Sequence, residues 1–145
     1  MLYFVHLDHT IFRPDQANPH QQNLPLVIEV AKRVAHQVSV AVADNAILIV
    51  VGGDCTTKLG VLAGLVGHIP RLGLVYFDGD LGLNTPETTR SGIFDGMVMS
   101  RIVGHGADAL THIGARYPLM SEENIVLFAY KPLVLQLNPG SQRCS

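Results

Sequence analysis

Asp78 and Asp80 are the residues of this chain whose type and spacing most directly suggest chemistry. They leave the end of an apolar run, Leu72 to Phe77, which reads as a buried β-strand. Alternate residues on an extended backbone point the same way, so both carboxylates are expected to reach one ion. Two carboxylates with water suit a hard divalent cation such as Mg2+ or Mn2+. An acidic turn with solvated charges is the plainer reading of the same three residues. A polar tract follows, Asn84 to Ser91, rich in hydroxyls and closed by Gly92. It carries more side-chain hydrogen-bonding capacity than a turn requires, and reads as a binding loop.

A second chemical stretch is Gly52-Gly53-Asp54-Cys55-Thr56-Thr57. Four readings stand open for it. It could be a phosphate-binding turn, although the glycine spacing fits neither common phosphate motif. Cys55 could be a reactive thiol, its pKa lowered at a helix N-terminus. It could ligate a soft metal, or be a small buried residue in a tight turn. Asp95 could serve as an acid or base, but Asp95 or Ser91 capping a helix is the blander reading. His6, Asp8 and His9 crowd the end of the apolar start Met1 to Phe12; a strand end with polar residues explains them without a metal.

The elements that must position these groups follow from hydrophobic spacing. Asn23 is placed to cap a helix with Pro25 in its first turn, running to about Asp44-Asn45. Leu26, Val30, Val34 and Val38 mark its apolar stripe. Ala46 to Val51 reads as a buried strand and Lys58 to Val66 as a helix capped by Thr56 or Thr57. Leu59, Leu62 and Val66 should face the sheet, with Gly60 and Gly64 permitting close approach. Together with Leu72 to Phe77 these form a βαβ unit, expected to be right-handed. Both chemical loops then leave the carboxyl ends of parallel strands and face one edge, where open α/β sheets bind ligands. A helix over Gly96 to Val103, a weak turn at Ala107 to His112 and a strand over Asn124 to Tyr130 complete the order. Residues 133–145 read as a poorly specified tail.

The 145 residues suit a single domain, 1–145. They are 48% hydrophobic and only 15% charged, well below the ~25% charge of ordinary domains. A parallel sheet that is apolar on both faces explains this. So does an apolar face awaiting more chain or another subunit, which keeps a homo-oligomer open. No apolar run approaches the ~20 residues of a membrane span. Net charge is −2 with no basic stripe, which argues against nucleic acid as a partner. Two cysteines, Cys55 and Cys144, make no disulfide framework, so a reducing, cytoplasmic setting is expected.

Gly52-Gly-Asp-Cys55, Asp78-Gly-Asp-Leu-Gly82-Leu-Asn84-Thr-Pro-Glu-Thr-Thr89-Arg-Ser91-Gly92 and Asp95-Gly-Met97 resemble the arginase/agmatinase/formiminoglutamase (ureohydrolase) family. That family carries G-G-D-H, D-A-H-x-D, N-T-P-x-T-x-x-S-G and H-G-M-like signatures in this order at similar spacing. The likeness runs from about Ala46 to Gly104. It implies a three-layer α/β/α fold with a mainly parallel sheet. It also implies a dimanganese hydrolase of a guanidinium or amidine C–N bond, releasing urea or a similar product from a small guanidinium or amidine compound. By position, Cys55 stands for the first histidine ligand, Asp78 for the bridging aspartate and Asp80 for a second histidine. Asn84, Thr89 and Ser91 match substrate-holding positions. Asp95 stands for a histidine of proton transfer or substrate contact, and Ile93 for an asparagine.

Gly82 stands where the family has another aspartate ligand, and the later D-x-D-x-x-D-P segment is not found after Tyr130. Manganese takes about six ligands, so Cys55, Asp78 and Asp80 alone do not assemble a pair of such sites. The chain is also shorter than the family's usual domain. The expectation is therefore an incomplete arginase-like domain, with a catalytically inactive binding or interaction domain as the alternative. An unrelated nucleotide-binding α/β protein would need a phosphate loop that is not present.

Overall fold

The computed structural model describes residues 13–44, 47–106 and 110–129. The expectations for Met1 to Phe12, including His6, Asp8 and His9, fall outside these residues. So do Ala46, Cys144, the first half of the turn at Ala107 to His112 and the tail.

Helix α1 spans Leu24–Ala43 with Pro25 in its first turn. Its apolar positions recur at three and four residues, so one face is buried. Ala31, Val34, Val38 and Ala41 are buried, with Leu24, Val27, Ile28 and Ala35 packed partly against the core. The expected stripe at strict four-residue spacing holds for Val34 and Val38 only. A four-residue step drifts by about 40° at ~3.6 residues per turn, and this carries Leu26 and Val30 away from the core cluster. Asn23 occupies the capping position in a left-handed conformation, but its side chain makes no cap bond. The Asn23 side-chain Nδ2 donates instead to the Arg13 carbonyl at 3.1 Å, tying the helix start to the preceding loop.

Helix α2, Thr57–Leu65, lies directly on α1. Its glycines face α1 rather than the sheet. A Cβ on Gly60 would come 2.6 Å from the Ala31 carbonyl oxygen, and one on Gly64 would come 2.5 Å from that of Ala35. The absence of side chains at these two positions brings the helix backbones together. On the opposite side, Leu59 and Leu62 enter the core. Neither Thr56 nor Thr57 makes the expected cap bond; the Thr56 hydroxyl is held by Asp54.

Strand β1 is Leu74–Phe77 and strand β2 is Ile125–Phe128. They pair in parallel from Leu74↔Ile125 to Phe77↔Phe128. Between them, a 3-10 turn at Phe94–Met97 leads into α3, Val98–Ile102. Leu74, Tyr76, Ile125 and Leu127 point to the helices and join the core around Leu59, Met97 and Ile102. Val75, Phe77, Val126 and Phe128 face away, and Val75 and Phe77 are 72% and 71% exposed. The described residues thus form an α/β arrangement with helices packed on one face of a parallel pair. The other face is apolar and bare among the described residues.

One expected strand fails. Residues 47–51 form no strand, and Ile47, Ile49 and Val51 are 95%, 86% and 92% exposed. Aliphatic, β-branched composition favours a strand only where a neighbour supplies the ladder. No strand pairs with this segment among the described residues. The expected βαβ unit therefore lacks its first strand, and the parallel pair is built from β1 and β2 instead.

Candidate functional site

The turn before α2 and the end of β1 meet at one edge, although residues 47–51 ahead of that turn form no strand. Asp54 shapes that turn. Its Oδ1 accepts the Thr56 amide at 2.8 Å, along with the Thr56 hydroxyl. This closes the chain over two residues and starts the helix with Cys55 facing β1. At the strand end, the Asp78 amide donates to the Phe128 carbonyl at 3.2 Å. The carboxylate is thereby held one step beyond the β1–β2 ladder.

Cys55, Lys58, Tyr76 and Asp78 form a contiguous cluster. Lys58 Nζ lies 3.1 Å from Asp78 Oδ2 and 3.2 Å from Cys55 Sγ. The thiol itself donates to Asp78 Oδ2 at 3.3 Å. Beneath the ammonium lies Tyr76, its ring centroid 4.0 Å from Nζ, a cation–π arrangement. The second Asp78 oxygen accepts the Asp80 amide at 3.1 Å. Asp95, from the 3-10 turn, accepts the Cys55 amide at 2.9 Å. A cleft of about 580 Å3 opens here, with Asp54, Cys55, Lys58 and Asp95 among its walls.

The electrostatics follow from these contacts. The Asp80 amide, with Lys58 and Cys55, holds the Asp78 carboxyl well below the usual carboxylate range, against an opposing effect of burial. Burial pulls the Lys58 ammonium down, but Tyr76, Asp78 and Cys55 beside it outweigh that and raise it. Burial also raises the Tyr76 phenol, with Lys58 opposing. For Cys55, burial and then Asp95 push the thiol up, and Lys58 only partly offsets them. Cys55 thus has the Lys58 ammonium at 3.2 Å and an Asp78 oxygen at 3.3 Å from its sulfur, and the balance of these surroundings disfavours the thiolate.

The remaining expected site residues lie in or beside the loop after β1, and much of the loop's polar capacity is spent on its own shape. Asp80 Oδ1 accepts the Gly82 amide at 2.9 Å. Thr89 is buried, and its hydroxyl accepts the Gly92 amide at 3.0 Å. The Ser91 hydroxyl accepts the Ile93 amide at 3.3 Å. The Asn84 carbonyl accepts the Ser100 hydroxyl at 2.6 Å, while the Asn84 side chain is exposed beside Thr88. Neither Asp95 nor Ser91 caps α3; Asp95 lies inside the preceding 3-10 turn, where its carboxylate reaches across to Cys55.

The described residues do not by themselves fit a manganese pair. Both Asp78 oxygens are engaged by protein donors, and one of them by an ammonium. Gly82, where the resemblance implies a carboxylate, has φ +60°, and a Cβ there would sit 3.2 Å from the Met99 amide nitrogen. Among the described residues, no group of three or more His, Cys, Asp or Glu side chains converges to hold an ion. Lys58 and Tyr76 were not singled out by sequence. Their signals were present: Lys58 follows Cys55 by three residues on a helix start, and Tyr76 precedes Asp78 by two on a strand. Both spacings put side chains on a shared face.

Comparison with known proteins agrees with the motifs. The family model described as the Arginase family matches residues 8–131. An arginase of Bacillus caldovelox is 34% identical over 119 residues, covering 82% of this chain and 40% of the arginase. An arginase of Brevibacillus brevis is 34% identical over 107 residues, covering 74% of this chain and 36% of that protein. The crystal structure of the Bacillus caldovelox arginase superposes with a TM-score of 0.76 at 33% identity, covering 84% of this chain and 41% of that one. Entamoeba histolytica arginase, solved in complex with L-ornithine, gives 0.73 at 30% identity, covering 81% and 40%. The chain thus spans about two fifths of the length of these relatives. No helix of the described residues is long and apolar enough to cross a membrane.

Proposed function

The chain belongs to the arginase family, and from that premise we propose that it is an arginase-like binding domain for a small guanidinium or amidine compound, without the family's two-manganese hydrolysis. One observation carries this reading. Asp78, the residue matched to the bridging aspartate, already has both carboxylate oxygens bonded within the protein. The chemistry of a urea-releasing site needs a nucleophile made at neutral pH between two close metals. Among the described residues, Cys55, Asp78 and Asp80, with glycine at position 82, supply too few donors for it.

Binding is supported by the cleft itself. Asp54 and Asp95 line its wall, and planar cations pair well with carboxylates through parallel N–H donors. The test combines two measurements on the same protein. Thermal melts with arginine, agmatine and formiminoglutamate should show a rise in Tm with at least one of them, and Asp95→Asn should remove it. Urea release, assayed with and without added Mn2+, should stay at background. Urea production would overturn the non-hydrolytic part; flat melts with every compound would overturn the binding part.

A second reading, an arginase-family hydrolase of a guanidinium C–N bond, is favoured by the 34% identity to proteins named as arginases. In it Cys55, Asp78 and Asp80 are this chain's share of the metal ligands. Asn84, Thr89 and Ser91 orient the substrate, and Asp95 handles the proton. Mn2+-dependent urea release in the same assay separates the two readings.

A further inference from the structure

We propose that Lys58 is a resident cation: its ammonium holds the place between Cys55 and Asp78 that a divalent metal would need, so this edge excludes metal while Lys58 is present. The inference rests on the binding-domain reading above and deepens it. The geometry is specific. The two side chains matched to metal ligands, Cys55 and Asp78, are the two that Lys58 Nζ touches, at 3.2 and 3.1 Å. A third contact, the Tyr76 ring 4.0 Å from Nζ, fixes the ammonium from below. The Lys58 side chain is only 38% exposed and that of Asp78 only 24%. The pair is therefore partly sheltered from solvent screening.

The charge arithmetic matches. Asp78 carries one negative charge and Lys58 one positive, so the pair is neutral with Cys55 as a thiol. A divalent ion entering here would have to displace the ammonium, lose its aspartate partner or share it with a like charge. It would also need the Cys55 proton removed, because the thiolate and not the thiol ligates metals. An arginase-type edge kept for binding alone has no use for a metal, and an internal lysine supplies the positive charge that Asp78 requires.

Removing the ammonium should open the site. With Lys58→Met the stem still covers Tyr76, and Cys55 and Asp78 become a thiolate–carboxylate pair suited to a soft divalent cation. The probe is Cd2+ alone, titrated into the full chain carrying Cys144→Ser and followed by cadmium–thiolate ultraviolet absorption. With Lys58 in place no thiolate band is expected at Cd2+ concentrations that saturate the Lys58→Met protein. The gain in affinity should be about tenfold or more, the low end of what altering a ligand's neighbours does to metal binding. Adding Cys55→Ser or Asp78→Asn to Lys58→Met should abolish the band or return it to the weak level. Lys58→Arg, which keeps the charge, should stay silent. Lys58→Gln repeats the measurement should the methionine variant fold poorly.

An equal band with and without Lys58, or no band in either neutral variant, would overturn the proposal. Its failure is distinguishable from failure of the functional reading. Urea release by a protein that shows no cadmium band would sink the latter alone; a cadmium band in the Lys58 protein without urea release would sink the former alone.

Discussion

The seam between α1 and α2 sets where Cys55 and Lys58 stand, and Gly64→Ala tests it. The new Cβ would lie 2.5 Å from the Ala35 carbonyl oxygen and 2.8 Å from Val38 Cβ. Neither neighbour is the far end of a flexible side chain, so a helix has to move. Overpacking of this kind costs about 1–3 kcal/mol. Alanine in place of glycine returns about 0.8–1 kcal/mol of helix propensity. At the middle of the overpacking range the net loss is therefore roughly 1 kcal/mol, and Tm should fall by about 2–4 °C for a chain near this length. Gly60→Ala should behave alike, its Cβ meeting the Ala31 carbonyl oxygen at 2.6 Å and Val34 Cβ at 2.7 Å. The two glycines are one helical turn apart on one seam. A single withdrawal of α2 relieves both contacts, so the double variant should cost less than the sum of the two. Circular dichroism melts and urea titrations read all three. An alanine variant as stable as the parent, or strict additivity, would refute a seam closed on glycine.

Three further outcomes follow from the site and the sheet. The Asp78 carboxyl is held low in the folded chain, so its stabilisation is complete above the unfolded value near pH 4 and is lost as pH falls through the folded value. Asp78→Asn should flatten the acid limb of stability against pH by roughly 1 kcal/mol; an unchanged limb would exclude Asp78 as its source. Tyr76 is raised by burial, so its neutral form stabilises the fold below about pH 10 and this is lost at higher pH; ultraviolet titration should show phenol ionisation delayed in the folded chain and restored to normal in urea. Phe77 and Phe128 lie with ring centroids 5.3 Å apart, tilted at 37°, on the bare face, and replacing both with Thr should cost about 0.5–1.5 kcal/mol for the lost pair while sharply lowering binding of a hydrophobic dye, whose persistence would place the exposed patch elsewhere.

How much of this was legible depends on whether the governing interaction is local. Helices α1 and α2 were readable because their apolar residues recur at helical spacing and glycine or proline marks their ends. The runs that became β1 and β2 were readable as apolar segments, and family resemblance tied the loop after β1 to a binding edge. Ile47 to Val51 is as apolar as those runs but forms no strand, since pairing depends on a neighbour that composition does not reveal. The resemblance matches Thr89 and Ser91 to substrate-holding positions, and in the fold both hydroxyls also accept nearby loop amides, local bonding that spacing alone does not reveal and that is common for short polar side chains. Lys58 carries no site signal by type and position alone, because a lysine in a first helical turn ordinarily reaches into solvent. Only the approach of β1 converts it into the partner of Asp78.

The register of the parallel pair has a kinetic consequence. Leu74 meets Ile125, fifty-one positions on (125 − 74), whereas Gly60 meets Ala31 across twenty-nine (60 − 31). Closing the longer loop costs more chain entropy before any contact rewards it. The α1–α2 pair should therefore assemble early, and the strand pair late. Since the Asp78 amide bonds to Phe128 beyond that pair, the acidic edge has no fixed geometry until β2 docks. Pulsed hydrogen exchange during refolding should protect α1 amides before that of Asp78, and simultaneous protection would contradict this order. A folding intermediate with its helices in place would then carry Lys58 and Cys55 without their carboxylate, and the ion pair would register completion of the sheet.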